Sequence, residues 1–285
     1  MSRLIVNADD FGLTAGVNRA ILELHSAGLL TSTTLMARAG ASEEAIEMAR
    51  ATPTLGVGCH IVLVDGTPVL SARNQIPNLA DPTCDRLRPT ILNFLGGLYR
   101  ESKKKFVAQV EAETRAQIEF LLNSGVRLTH IDTHKHTHMF PAILRPVLRA
   151  AHACGIRAIR NPFEPAWAVS ATSRAAWLRT AQVGLLRTLE PTCRRIIAEE
   201  GFTTTGGTLA VVGTGTLDAA VLRNLLKQIP DGTDNSWELV THPGYNDADL
   251  DKVRTRLRES RDIERQALTA LKEFPAIQLI SFGNL

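Results

Sequence analysis

A chain of 285 residues, 44% apolar and 21% charged, has the composition of a folded globular protein and is long enough to bury a core without disulfides or a structural metal. Its 32 basic and 29 acidic residues leave a formal net charge of +3, which excludes a general affinity for polyanions, so nucleic acid is not an expected partner. Four widely spaced cysteines, Cys59, Cys84, Cys154 and Cys193, form no CxxC pair and read as reduced thiols.

In chain order the pattern alternates. Leu4-Ile5-Val6 reads as a buried strand, and residues 17–27 as a helix with Ile21, Leu22 and Leu24 on its apolar face. A strand over 29–36 precedes a helix opened by Ser42-Glu43-Glu44, with Ser42 as its N-cap. Further strands are expected over 56–63, 128–132, 156–160, 209–212, 239–242 and 277–282. Between them, helices are expected over 103–123, 141–153, 218–228 and 251–274. The start of the chain lacks a signal-peptide pattern, and no run reaches the roughly 18 uncharged apolar residues of a spanning helix, so the expectation is cytoplasmic.

Strand–helix alternation means a parallel sheet covered by helices. About eight such units fit a (β/α) barrel of TIM type, distorted or incomplete, although a doubly wound sheet would give the same alternation. Asp9-Asp10, His60, His130 to His138 and His242 all fall at the C-terminal ends of predicted strands, and in a barrel those ends meet at one mouth. One domain over 1–285 is expected, with a Pro-, Asn- and Asp-rich loop over 64–89 and an insertion over 162–200.

Asn7-Ala8-Asp9-Asp10-Phe11-Gly12 joins a strand to a helix. Strand alternation would send its two carboxylates to opposite faces and so into different roles, while an acidic turn before a helix N-terminus is the plainer reading. In Thr129-His130-Ile131-Asp132-Thr133-His134-Lys135-His136-Thr137-His138, four histidines and an aspartate occupy alternate positions, and an extended backbone would put all five on one face. Histidines beside a carboxylate are the ligand set that zinc selects. His134 and His138, four apart, would both bind if this segment coiled, making an Asp10–His134–His138 metal set. Gly58-Cys59-His60 ends another strand, with Cys59 turned to the opposite, apolar side. In Thr241-His242-Pro243-Gly244 a sharp turn would leave an imidazole projecting, suited to proton transfer. His25 and His152 lie in helices and read as structural, and Gly213-Thr214-Gly215 lacks the rest of a nucleotide-binding pattern.

With these segments in order, the sequence resembles the YdjC-like carbohydrate deacetylase family. The matching elements are Asn7 to Leu13, Thr31-Ser32-Thr33-Thr34, Gly58 to Leu63, Thr129 to Pro141 and His242-Pro243. Val62 to Leu70, followed by Ile76-Pro77, is more similar to the hopanoid-biosynthesis-associated branch than to the chitooligosaccharide branch. The resemblance implies a barrel-like fold, removal of an N-acetyl group from an amino sugar, and one divalent ion, zinc or magnesium, held by Asp10, His60 and His134. It further implies Asp9 as the base that takes a proton from the attacking water, and His242 as the acid that protonates the departing amine. His136, His138 and Asp132 are expected at the substrate, which is either a lipid-linked sugar or a chitooligosaccharide. The segment 162–200 aligns with no family element. A multi-metal phosphoesterase, which would draw on Asp247 and Asp249, and a non-catalytic metal- or sugar-binding protein are the competing readings.

Between Arg145 and Arg195, nine arginines face only Glu164 and Glu190. A helix over 172–189 would align Leu178, Ala181, Leu185 and Leu189 in an apolar stripe, with Arg179 and Arg187 off it and Trp167 and Trp177 close by. Such a face suits packing on the barrel, a homodimer contact or peripheral attachment to a membrane.

Overall fold

Among the described residues, seven strands carry the fold: β1 (Arg3–Phe11), β2 (Ser32–Leu35), β3 (Gly56–Ile61), β4 (Leu128–Thr133), β5 (Gly207–Leu209), β6 (Ser236–Thr241) and β7 (Gln278–Ile280). The computed structural model describes residues 2–100, 102–172, 177–230 and 235–285, with backbone only at 99, 100 and 177–180. Within these residues ten helices accompany the strands: α1 (Ala15–Ser26), α2 (Ser42–Ala51), α3 (Ile91–Arg100), α4 (Lys103–Asn123), α5 (Pro141–Ala153), α6 (Ala166–Ala171), α7 (Trp177–Leu186), α8 (Glu190–Glu199), α9 (Ala219–Lys227) and α10 (Glu259–Ala267). None of the described helices is long and apolar enough to cross a membrane.

All strand pairings are parallel, in the order β4-β3-β2-β1-β6-β5, with β7 beside the first residues of β1. Single bridges from Ile131 to Ile159 and from Ala158 to Thr203 lead from β4 toward β5 and almost close the ring. The fold is an incomplete (β/α) barrel. The strand expected over 156–160 is reduced to those bridges. The one expected over 209–212 ends at Leu209, because Ala210 takes a left-handed backbone (φ 68°) and the Ala210 and Val212 amides donate to the buried Glu164 carboxylate.

The other departures are local. Ser42 is the first helical residue and not the N-cap; its hydroxyl donates to the Met36 carbonyl and accepts from the Ala39 amide, fastening the turn before α2. The helix expected over 251–274 breaks into a 3-10 turn (Leu250–Lys252), α10 and a second 3-10 turn (Leu268–Glu273), with Val253 extended between the first two. The helix expected over 172–189 is α7 continued by a 3-10 turn (Arg187–Leu189) into α8. The side chains of Trp177, Leu178 and Arg179 lie outside the described residues. Ala181 and Leu185 face solvent while Leu186 and Leu189 pack against the core, so the contact face is shifted off the expected stripe.

The sheet's two faces differ in kind. Leu4, Val6, Ala8, Leu35, Val57, Cys59, Ile61, Ile131 and Leu239 join the helices in one apolar core. The alternating positions Asn7, Asp9, Ser32, Thr34, His60, His130, Asp132, Thr208 and Glu238 are also buried, and they fill the barrel with polar groups. At its floor the His130 ring stacks on Phe282 at 3.8 Å, and Phe282 packs with Ile5 and Ile280. Gly58 leaves room for that ring, because a Cβ there would fall 2.6 Å from it. Gly58→Ala should therefore cost about 1–3 kcal/mol by overpacking. Denaturant unfolding checks this, and an unchanged stability would mean that His130 does not occupy the floor.

Candidate active site

The last residues of β1 set the geometry. Its pairing with β2 shifts register between Ala8 and Phe11, and Asp10 sits in the left-handed region (φ 67°). Simple alternation thus fails here, and both carboxylates reach the same mouth, where Asp9 and Asp10 are 2% and 4% exposed. Asp10 Oδ1 lies 3.5 Å from His60 Nε2 and 3.6 Å from His134 Nδ1, and the two imidazole nitrogens are 3.2 Å apart. One ligand atom from each of Asp10, His60 and His134 falls within 4.8 Å of the others.

β4 stays extended only to Thr133. The next turn, His134–Met139, holds Lys135 and His136 at φ 56° and 51°, so the expected single face of five residues does not form. His130 and Asp132 point into the barrel, His134 turns to the mouth, and His138 folds back. The His138 Nε2–H donates to the Arg160 carbonyl (3.2 Å) and its Nδ1 accepts from the Thr133 hydroxyl (2.7 Å), which takes His138 out of the alternative metal set. Asp132 is fully buried; Oδ1 accepts from His60 Nδ1–H at 2.8 Å and Oδ2 from Arg160. With a cation bound, that contact would hold His60 in the tautomer whose Nε2 lone pair faces Asp10 and His134, as in carboxylate–histidine–metal arrangements. His136 has a buried Nδ1 without a hydrogen-bond partner.

Four site residues were not singled out in the sequence. Arg160 counted only toward the basic excess, yet it is wholly buried and meets three carboxylates. It grips Asp9 with two N–H groups (2.6 and 2.8 Å), reaches Asp132, and donates from Nε to Glu238 (2.8 Å). The signal was its place at the end of an apolar run, where Asp9-Asp10 and His60 also stand. Glu238 is a lone carboxylate between Trp237 and Leu239, an inward position in β6. Arg261 and Glu264 of α10 approach from behind. Arg261 donates to Asp10 Oδ2 (2.5 Å), and Glu264 Oε2 accepts from the His242 amide (2.7 Å) and lies 3.8 Å from its Nδ1. His242 Nε2 is 3.8 Å from Asp9 Oδ2.

Around the mouth, Asp9, Asp10, Asp132, Glu238 and Glu264 face, among the described residues, two buried guanidiniums, Arg160 and Arg261. If every acid were ionised, the site would lack three positive charges, which a low-dielectric interior does not tolerate. A divalent cation and one imidazolium would restore the balance. Of the two sets that could hold the cation, Asp9–His60–Asp132 already has Arg160 on both carboxylates, so Asp10–His60–His134 fits better. Individual groups show the same pressure. Burial pushes the Asp9 and Asp10 carboxyls up, but it is outweighed at Asp9 by Arg160 with His60 and His242, and at Asp10 by Arg261 together with His134 and His60, so both stay well below the usual range. Burial would press the His60 imidazole down, yet Asp132, Asp9 and Asp10 lift it to about 9. His242 is likewise raised against burial by Glu264, then by Asp9 and Asp10. Burial keeps His136 and His138 neutral, at about 3 and about 4.

Asp247 caps the turn at Asp249 and Leu250, accepting both amides on Oδ1, and so does not serve the phosphoesterase reading. Of the two helix histidines, His25 bonds the Leu30 carbonyl and the Thr54 hydroxyl, and His152 is exposed. Cys59 is fully buried in the apolar core.

Fold and site together define an incomplete (β/α) barrel whose mouth is lined by carboxylates and histidines. The chain belongs to the YdjC-like family: the family profile described as YdjC-like protein matches residues 3–275. A protein of Brevibacillus brevis named carbohydrate deacetylase is 32% identical over 99% of both chains. Another so named, from Oceanobacillus iheyensis, is 30% identical over 87% of this chain and 88% of its own. Among solved structures, a candidate cellobiose-phosphate cleavage protein of Enterococcus faecalis is 25% identical and superposes with a TM-score of 0.74, covering 99% of this chain and 98% of its own. A lactam utilization protein of Thermus thermophilus, 15% identical with a TM-score of 0.53 over 99% of this chain and all of its own, shares the fold alone.

One guanidinium cannot neutralise three carboxylates, and Glu238 is the acid left over. Burial, opposed by Arg160 and assisted by Asp9 and Asp132, pushes it up to about 7 from 4.5. A carboxyl raised in the folded state stabilises below its unfolded value, and that contribution is lost as pH rises toward the folded one. Glu238→Gln keeps an acceptor for Arg160 but cannot ionise, so its stability relative to the native chain should rise between pH 4.5 and about 7 and then level off. Denaturant titrations across that range test it; a constant difference would show that Glu238 does not hold the extra proton.

Proposed function

We propose that this chain is a metal-dependent carbohydrate N-deacetylase. The observation that carries the reading is the Asp10–His60–His134 set beside the Asp9–His242 pair in one mouth. Relatives at 32% and 30% identity that are named carbohydrate deacetylases supply the reaction class. Two nitrogens and one carboxylate oxygen suit zinc, with magnesium the alternative. When bound, the cation supplies Lewis acidity to the acetyl carbonyl and to the attacking water.

The remaining work belongs to the chain. Arg160 holds Asp9 ionised and immobile, and a carboxylate so stabilised takes a proton only from water that has itself been made acidic. Asp9 accepts that proton as the water oxygen bonds to the acetyl carbon. His242, raised in pKa and facing Asp9, gives its proton to the nitrogen as the C–N bond breaks, and the products are acetate and a free amine. His136, with its unpartnered ring nitrogen, is the substrate contact in this reading. Asp132 and His138, whose polar atoms are taken by the protein, position His60 and Arg160 instead.

The substrate is an N-acetylated amino sugar, in the finer reading a lipid-linked one. In support, Leu185 on α7 is 71% exposed within an arginine-rich segment, a surface suited to peripheral contact with a membrane; a homodimer contact is the competing use. Acetate release from N-acetylglucosaminyl lipids against chitooligosaccharides separates the substrate classes. The role test uses two variants. Asp9→Asn should keep bound metal and lose ~10²–10⁴ in turnover, as expected for loss of a general base. His242→Ala should lose as much on an amide and far less on an acetyl ester with a good leaving group. Equal losses on amide and ester would remove the acid role from His242.

A further inference from the structure

Arg261 and Glu264 stand three residues apart on α10 and are each 1% exposed. A helix that only covered the barrel would present apolar side chains there, since burying two charges costs several kcal/mol before any pairing. Each has one principal partner at the mouth. Arg261 takes Asp10 Oδ2, the oxygen turned away from His60 and His134, while its Nε and Nη1 have no hydrogen-bond partner. Glu264 takes the His242 amide and faces its Nδ1, and its second oxygen accepts the Gly215 amide at 3.2 Å. The same turn is fastened to the loop after β6, where the Gly244 amide donates to the Arg261 carbonyl (3.2 Å) and a Cβ on Gly244 would fall 3.1 Å from Arg261 Cδ.

We propose that this one turn of α10 positions both halves of the chemistry: Arg261 presents Asp10 to the cation, and Glu264 aims His242 at the departing nitrogen. The inference rests on the deacetylase reading above and assigns it two positioning residues. With Oδ2 held by Arg261, Asp10 keeps Oδ1 toward the two imidazoles. With Glu264 at its amide and Nδ1, His242 keeps Nε2 toward Asp9 and the mouth.

The two roles predict orthogonal defects. Arg261→Gln should weaken the binding of zinc, titrated alone by calorimetry, ~10–100-fold, as the loss of a partner that orients a ligand does. Arg261→Lys should recover most of that affinity, because one N–H and the charge are all that Asp10 uses. Glu264→Gln should bind zinc as the native chain does. Its kcat on an N-acetyl amide should fall at least tenfold, with a much smaller loss on an activated acetyl ester. A merely structural role would move zinc affinity and both turnovers together in both variants, and that pattern overturns the proposal. So does an equal loss on amide and ester in Glu264→Gln when His242→Ala does discriminate between them. If the native chain binds neither zinc nor magnesium, or His242→Ala shows no discrimination, the deacetylase reading fails and this inference with it.

Discussion

The structure depends on a buried cation. Arg160 lies wholly inside the barrel, and around it converge Asp9 from β1, Asp132 from β4 and Glu238 from β6. A guanidinium with five donors in a fixed fork can grip Asp9 with two of them and still reach two further carboxylates, more contacts than an ammonium's three donors can make. The interior that results is held by geometry more than by hydrophobic packing, and buried pairs of this kind favour one arrangement over many without adding much stability. It also links the residues of the candidate site: the group that fixes Asp9 also fixes Asp132, which bonds His60.

Backbone strain gathers in the same places. Among the described residues, the non-glycines at positive φ are Asp10, one residue before the end of β1, and Asp65, Lys135, His136 and Ala210, which follow the ends of β3, β4 and β5. A left-handed conformation costs such residues about 1–2 kcal/mol each. Lys135 is clamped to Asp65 at 2.6 Å, so the loop after β4 is tied to the loop after β3 over the rim. These turns let side chains from β1 and β4 leave the strict alternation of their strands and converge.

Where regular periodicity ruled, the sequence was legible. α4 and α5 fall where the apolar spacing put them, and His60, Asp132 and His242 lie at strand ends as expected. Legibility ended where the backbone left its period. Alternation placed Asp9 and Asp10 on opposite faces and His130 to His138 on one; the left-handed residues at 10, 135 and 136 undid both. Arg160, Glu238, Arg261 and Glu264 escaped notice for another reason. Isolated charges in strands and helices look like solvated surface until the fold brings their partners from 22 to 251 residues away.

In the proposed function, the excess of carboxylates at the mouth holds a divalent cation on Asp10, His60 and His134. Anomalous scattering from crystals grown with zinc tests it directly. One peak within bonding distance, about 2.0–2.2 Å, of an oxygen of Asp10 and a nitrogen from each of His60 and His134 is the predicted result. A peak on Asp9 and Asp132 in place of the Arg160 guanidinium, or no peak at the mouth with zinc in excess, would contradict it.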